Sequence, residues 1–169
     1  MSVPILHTQR LILRPLEAED TLSIYALRTN AVVNKYINRP GTNKLQDTIK
    51  FINRITEGYK KGTHVFWAIC LKDSLELIGT ICLWNFSEDR KTAELGYELH
   101  PDYHGKGYMD EALKEIINYA KTLSITKLEA FTHRDNESSK KLLDKNSFIL
   151  EPERKDTDNL NNTIYSLNI

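Results

Sequence analysis

Residues 93–112 constrain the fold of this 169-residue chain more than any other stretch. Ala93-Glu-Leu-Gly-Tyr-Glu-Leu99 reads as a strand, Pro101 opens a turn, His104-Gly-Lys-Gly-Tyr-Met109 is a glycine-bearing loop, and a helix follows. Met109, Ala112, Leu113, Ile116, Ile117 and Ala120 have the spacing of one apolar helix face. The loop therefore delivers backbone N–H groups to a first helical turn, where they lack intrahelical partners and the helix dipole adds positive charge. Gly105 and Gly107 let a bulky anion approach the main chain and admit positive φ. Such a loop suits a phosphate or pyrophosphate. The plainer alternative is two glycines that only turn the chain into a helix. Two sharper alternatives fail on spelling. A P-loop needs Ser or Thr after Gly-Lys, and Gly105-Lys106 is followed by Gly107. A dinucleotide fingerprint needs a third glycine where Asp110 stands and a first glycine directly after the strand, whereas Pro101 to His104 intervene. Glu129 lies at a tolerable distance for a ribose ligand, which does not offset those two mismatches.

The chain length suits one domain, 1–169, with a proper core. Lys plus Arg and Asp plus Glu both number 23, so there is no basic excess for nucleic acid, and an anionic ligand must be held by local donors. No apolar run approaches the ~20 residues of a membrane span. Met1-Ser-Val-Pro lacks the features of a signal peptide, so a cytoplasmic location is expected, with no membrane or nucleic-acid partner. Cys70 and Cys82 fall on neighbouring strands of a hairpin turning near Ser74-Leu75. Cys70 is expected to face Gly79 and Cys82 to pair near Trp67, which keeps the thiols apart and reduced.

In chain order, Thr8–Leu16 reads as a strand stopped by Pro15, and Glu17–Arg28 as a short helix that Ala31–Tyr36 extends before Pro40-Gly41 breaks it. Leu45–Lys60 is a second helix with Ile49, Phe51, Ile52 and Ile55 inward. His64–Leu71 and Leu75–Trp84 form the hairpin, and Asn85–Lys91 is a polar turn. After the helix at Met109 come a strand at Lys127–Thr132, a cap at Asn136, a helix at Glu137–Asn146 and strands at Phe148–Pro152 and Thr163–Asn168. Pattern alone gives a mixed α/β domain. Core packing is the plain expectation for Tyr25, Tyr36, Phe51 and Tyr59, with a place in the wall of a binding site as the alternative.

The loop resembles motif A of the Gcn5-related N-acetyltransferases, Gln/Arg-x-x-Gly-x-Gly/Ala. His104 stands at the Gln/Arg place, Gly107 at the glycine and Met109 at the last small position. Arg10-Leu-Ile-Leu-Arg14, Glu94-Leu-Gly-Tyr97, Gly-Lys-Gly-Tyr-Met and Glu111-Ala112 resemble the ribosomal-protein (RimJ/RimL-type) branch in particular. The resemblance covers essentially the whole chain. It implies an α/β GNAT fold: a single mixed, largely antiparallel sheet of six to seven strands, helices on both faces, and a splayed central strand pair.

It also implies acetyl-CoA as co-substrate, no metal, and a primary amine as acceptor, either a protein N-terminal α-amine or a small amine such as a polyamine or aminoglycoside. A homodimer is compatible with it. Main chain around Tyr97 to Leu99 would pair with the pantetheine arm as an edge strand does. The pyrophosphate would rest on Gly105, Lys106, Gly107, Tyr108 and Met109, beside His104. Lys106 and Lys140 would add charge unless they are merely solvated. Asn136-Glu-Ser-Ser139 resembles the branch's Asn-x-x-Ser, which puts Asn136 at the pantetheine and makes Ser139 the general acid for the leaving thiolate. Its plain alternative is a serine in the first turn after a cap. Glu94, Glu98 and His100 share one face of the strand, and Glu98 is the preferred base, with Glu94 as a structural anchor. An α-amine costs only about 1 kcal/mol to neutralise at pH 7, against roughly 4.6 kcal/mol for a lysine-like amine, so a dedicated base is not obligatory. Neither cysteine has an activating neighbour in sequence, so attack is expected to be direct. Because His104 and Met109 depart from the generic consensus, a CoA-binding module without turnover is the rival from another class.

Overall fold

The structure is a computed structural model and describes residues 3–37, 39 and 44–169. Its elements are β1 (Leu6–His7), β2 (Leu11–Arg14), α1 (Thr21–Thr29), α2 (Leu45–Lys60), β3 (His64–Leu71), β4 (Leu77–Trp84), β5 (Thr92–Leu99), α3 (Tyr108–Thr122), β6 (Lys127–His133), α4 (Glu137–Lys145), β7 (Ile149–Leu150) and β8 (Asn162–Asn168). The strands form one mixed sheet of eight, in the order β1-β2-β3-β4-β5-β6-β8-β7. Every neighbouring pair is antiparallel except β5 and β6.

Period-two alternation explains why β3 reads as an unbroken apolar run: it is covered on both faces. Val65, Trp67 and Ile69 pack in the cluster that holds Met109, Leu113 and Ile116 of α3 and Leu143 of α4. Ala68 and Cys70 pack in a second cluster with Ile24 of α1 and Phe51 and Ile52 of α2. The helical faces predicted from spacing are the ones buried.

The central pair opens. β5 and β6 are in register from Thr92↔Lys127 to Leu95↔Ala130 and no further. Beyond that point β5 continues beside β4 alone, to Gly79↔Leu99, and β6 continues beside β8 alone, to His133↔Asn162. The expected splay is therefore a wedge between residues 96–99 and 131–133.

Four details differ from expectation. The eighth strand is the two-residue β1, too short for periodicity to reveal. Thr8 belongs to a turn that its hydroxyl closes on Leu11, so β2 begins at Leu11. A bulge between Ile69 and Cys70 moves the hairpin register, so that Cys70 lies opposite Leu77 and Cys82 opposite Phe66, with both thiols free. Residues 31–36 form a 3-10 turn at Val33–Tyr36 rather than more α-helix, and the Pro40-Gly41 break lies outside the described residues.

Gly79 is where β4 lies hard against β5: a Cβ there would meet the Glu98 carbonyl oxygen at 2.3 Å. Gly79→Ala is expected to destabilise by about 1–3 kcal/mol, a loss of roughly 2–4 °C in Tm per kcal/mol at this chain length. An unchanged Tm in calorimetry would refute that close approach.

Candidate active site

The loop between β5 and α3 is built from its own polar groups. His100 caps a 3-10 turn at Pro101–Tyr103, its Nδ1 accepting from the Asp102 N–H. His104 Nε2 bonds the Leu99 carbonyl at 2.9 Å, tying the loop to the end of β5. Gly105 and Gly107 have φ of +71° and +80°, the left-handed region that glycine enters without strain. A Cβ on Gly105 would meet nothing within 4 Å, so the loop is open on that side. Gly107 is the N-cap of α3, and the amides of Tyr108 and Met109 begin the helix. Met109 is 8% exposed and contributes main chain to the loop while its side chain enters the core.

Arg10 locks this loop from β2's side. Its Nε bonds Glu111 Oε2 at 2.7 Å, its Nη1 bonds the Lys106 carbonyl at 3.0 Å, and its guanidinium lies 4.3 Å over the Tyr108 ring. Thr8 and the Arg10 amide also donate to Glu111 Oε1. Burial works against the charged Glu111 carboxylate, but these donors outweigh it and hold its pKa below the ordinary value. Asp110 behaves alike: Lys145, Lys114 and Asn146 overcome burial and depress it strongly. Both acids at the start of α3 are thus matched by cations, leaving the helix N-terminus free to receive an anion. Lys106 and Lys140 are otherwise engaged, Lys106 Nζ with the Asp102 carbonyl and Lys140 Nζ with the Arg134 carbonyl and Glu137.

β5 sorts its side chains to two faces. On the α4 side, the Tyr97 hydroxyl lies 2.6 Å from Ser139 Oγ. Burial pushes the Tyr97 phenol up to about 12, against the Ser139 bond. Asn136 caps α4, its Oδ1 accepting from the Ser139 N–H at 3.2 Å. The plain reading of Ser139 as a post-cap residue holds for its backbone, while its hydroxyl meets the strand.

On the other face stand Glu94, Gly96 and Glu98. Glu98 Oε1 accepts from Arg39 Nη2 at 2.6 Å and lies 3.9 Å from Arg28 Nη1. The residue expected as base is thus ion-paired through Oε1, while its Oε2 is buried without a hydrogen-bond partner among the described residues. Among the described residues Glu94 bonds the Asn85 amide, at 3.2 Å, and burial raises its carboxyl to about 7 against that bond. Between them Gly96 leaves an open floor, where a Cβ would press on Cys82 Sγ at 3.0 Å. Burial, with Glu98 nearby, pushes the Cys82 thiol up to about 12, and burial also raises Cys70, so neither is an activated nucleophile.

The main chain in the wedge has a direction. The His100 N–H bonds the Ile78 carbonyl, so by antiparallel alternation the even-numbered residues of β5 pair with β4, and Tyr97 and Leu99 point their N–H and C=O toward the missing neighbour. A cleft of about 1880 Å³ runs from Arg28 and Phe51 past Glu98 and Ser139 to Gly105 and Gly107. Tyr36 stacks on His133 across it, with centroids 5.0 Å apart, and so leaves the core role expected of it. Among the described residues no group of three or more His, Cys, Asp or Glu gathers to hold a metal.

Sequence reasoning anticipated the loop, Asn136 and Ser139 but missed Arg28, Arg39 and the Arg10–Glu111 lock. Arg10 had a signal in Arg10-Leu-Ile-Leu-Arg14. Arg28 and Arg39 had none, because isolated arginines near helix ends read as solvated.

The chain matches the acetyltransferase (GNAT) domain family over residues 10–149 and belongs to it. It is 30% identical over 167 residues to YoaA, an uncharacterized N-acetyltransferase of Bacillus subtilis, covering 98% of this chain and 94% of that protein. It is 30% identical to the ribosomal-protein-serine acetyltransferase of Escherichia coli, covering 73% of this chain and 69% of that one. Among solved structures, the RimL ribosomal L7/L12 alpha-N-protein acetyltransferase in complex with coenzyme A superposes with a TM-score of 0.84 at 21% identity, over 98% of each chain. The protein is therefore a GNAT N-acetyltransferase, with the splayed sheet that its sequence led us to expect.

Because Asp110 and Glu111 are depressed in the folded state, their stabilisation is present above the unfolded values near 3.9 and 4.3 and is lost as pH falls through the folded ones. Asp110→Asn/Glu111→Gln should therefore lose less Tm than the parent between about pH 6 and pH 3. Equal losses would mean that these carboxylates do not brace the loop.

Proposed function

We propose that the protein transfers the acetyl group of acetyl-CoA to a primary amine by direct attack, and that the acceptor is the α-amine of a protein N-terminus. The observation that carries this is the wedge: β5 parts from β6 after Leu95, just before the glycine loop that opens α3. The pantetheine arm would lie along Tyr97 and Leu99 as a substitute strand. Its pyrophosphate would rest on the amides of residues 105–109. Of the expected cradle residues, His104 would brace the loop through Leu99, and Lys106 would contribute its amide more than its charge. Asn136 would present its amide NH2 to the arm while its Oδ1 holds α4.

In the reaction, the amine nitrogen attacks the thioester carbonyl carbon. Glu94, poised near neutrality, takes the proton the nitrogen sheds. The tetrahedral oxyanion collapses, the C–S bond breaks, and Ser139 Oγ, backed by Tyr97, gives the thiolate its proton. Most of the acceleration would come from orientation. An α-amine suits this site because a base near 7 is well matched to it and poorly matched to a lysine-like amine. The polyamine and aminoglycoside alternative is disfavoured by arginines at the acceptor end of the cleft, Arg28, Arg39 and Arg54 among them. A binding module without turnover has no need of a carboxyl raised to about 7 on one face of β5 and a paired serine and tyrosine on the other.

Free-thiol release from acetyl-CoA, followed across a peptide panel and a polyamine panel, tests this reading. Release with peptides and not with polyamines is expected, and tight CoA binding with no release above background would establish the binding module instead. Gly107→Glu places a carboxylate at the loop in a backbone conformation hostile to it, and calorimetry should show CoA affinity falling at least about tenfold. Ser139→Ala should lower kcat by ~10²-fold with little change in CoA affinity. Glu94→Gln should remove the limb of the kcat/KM profile near pH 7, leaving the amine's own ionisation nearer 8. A profile that keeps both limbs would take Glu94 out of the mechanism.

A further inference from the structure

On the sheet face opposite Ser139, three charged side chains are enclosed together: Glu98 at 17%, Arg28 at 15% and Arg39 at 7% side-chain exposure. Two guanidinium groups against one carboxylate leave one positive charge unbalanced. Arg28 feels this. Burial first, then repulsion from Arg39, lower its pKa to about 10, with Glu98 opposing and Arg54 adding to the repulsion. It still carries its charge at neutral pH. The Arg28 guanidinium carbon lies 3.8 Å from the centroid of the Phe51 ring, and Arg54 approaches the same ring at 5.6 Å.

The hydrogen bonds do not close either. Arg39 spends an Nη2–H on Glu98, while its Nε and Nη1 and the Arg28 Nε are buried without a partner among the described residues, three donors against the single unpartnered acceptor Glu98 Oε2. Buried donors on charged groups are ordinarily satisfied, and those that are not call for a ligand or a functional reason. Like charges held in one enclosure call for the same thing, an anion from outside. Guanidinium forks match carboxylate and phosphoryl oxygens in geometry as well as in charge.

The place of this enclosure identifies whose anion it is. Both arginines line the cleft. Glu98 adjoins Tyr97, whose hydroxyl meets Ser139, and residues 96–99 form one side of the wedge. The pyrophosphate cradle lies at the far end of α3's loop and has its own donors. We propose that Arg28 and Arg39 receive an oxyanion group of the acceptor itself, so that the substrate is an amine bearing a carboxylate or phosphoryl group a few bonds from the nitrogen, and that Glu98 is the internal counter-ion holding the pair in place. In a protein N-terminus that group is an acidic or phosphorylated side chain beside the terminal residue. In a free amino acid it is the α-carboxylate. This specificity rests on the transferase reading but is separable from it.

The test is a matched acceptor series: peptides beginning Ser-Asp, Ser-Asn, Ser-Lys and Ser-phosphoserine, together with free serine and serinamide. Thiol release from acetyl-CoA is measured for each, and binding of each is measured in parallel by calorimetry in the presence of CoA. The expected result is a kcat/KM at least tenfold higher for each anionic member than for its neutral partner, expressed mainly in KM. Comparing the Asp and phosphoserine peptides with free serine shows whether the anion comes from a side chain or from the α-carboxylate. In Arg39→Gln the preference should collapse toward one. Arg39→Gln/Glu98→Gln, which strands no buried carboxylate, provides the same comparison if the single variant folds poorly. Arg39→Lys should recover part of the preference. Turnover with equal rates for the Asp and Asn peptides and for serine and serinamide would overturn this inference and leave the transferase intact. So would an anion preference that survives both glutamine variants. Arginine-dependent binding of anionic acceptors without turnover would uphold the pocket and defeat the transferase mechanism. Neither binding preference nor turnover would remove both.

Discussion

The parting of β5 from β6 is the constraint on which the rest of the molecule depends. Up to Leu95 and Ala130 the two strands share a parallel ladder; beyond it each keeps a neighbour on one side only. A sheet interior that stops pairing leaves main-chain donors and acceptors without partners, which a folded protein seldom tolerates unless something else takes them. Here His104 takes the Leu99 carbonyl, and the main-chain edge at Tyr97 faces the wedge. The wedge also determines what flanks it: Ser139 at the start of α4, the glycine loop ahead of α3, and the tip of β6 with His133 against Tyr36.

Strand alternation then divides the chemistry between two faces of the same short segment. Tyr97 turns toward α4 and meets a serine, while Glu94 and Glu98 turn toward α1 and α2. The two glutamates are four residues apart on one face and have opposite environments. Glu98 is ion-paired through Oε1 with Arg39 and, at longer range, Arg28. Glu94 has an amide as its hydrogen-bond partner, and burial, with Asp156 and Glu129 adding, raises its carboxyl toward neutrality. Identity and face were equal; the partners made the difference.

Legibility in the sequence follows the range of the interaction. The loop at 105–109, the helical faces of α2 and α3 and the cap at Asn136 arise from residues within a few positions of one another, and all were readable. The hairpin was readable as a hairpin, but its register was not, because the bulge at Ile69 and Cys70 leaves no mark in composition. β1 was missed because two residues show no period. Arg10 and Glu111 are about a hundred positions apart, and Arg39 and Glu98 nearly sixty, so no window of sequence contains either pair.

The sequence by itself determined a glycine loop between a strand and a helix, a mixed α/β chain, and through resemblance helices on both sides of the sheet and the acetyltransferase family. These follow from local backbone chemistry: glycine's freedom at positive φ, unpaired amides at a helix start, and apolar spacing. Only the tertiary structure decided which glutamate is ion-paired, which has its carboxyl raised, and where unspent positive charge collects. All three depend on burial and on partners brought from distant parts of the chain, and a carboxylate's chemistry is set by those neighbours rather than by its own position.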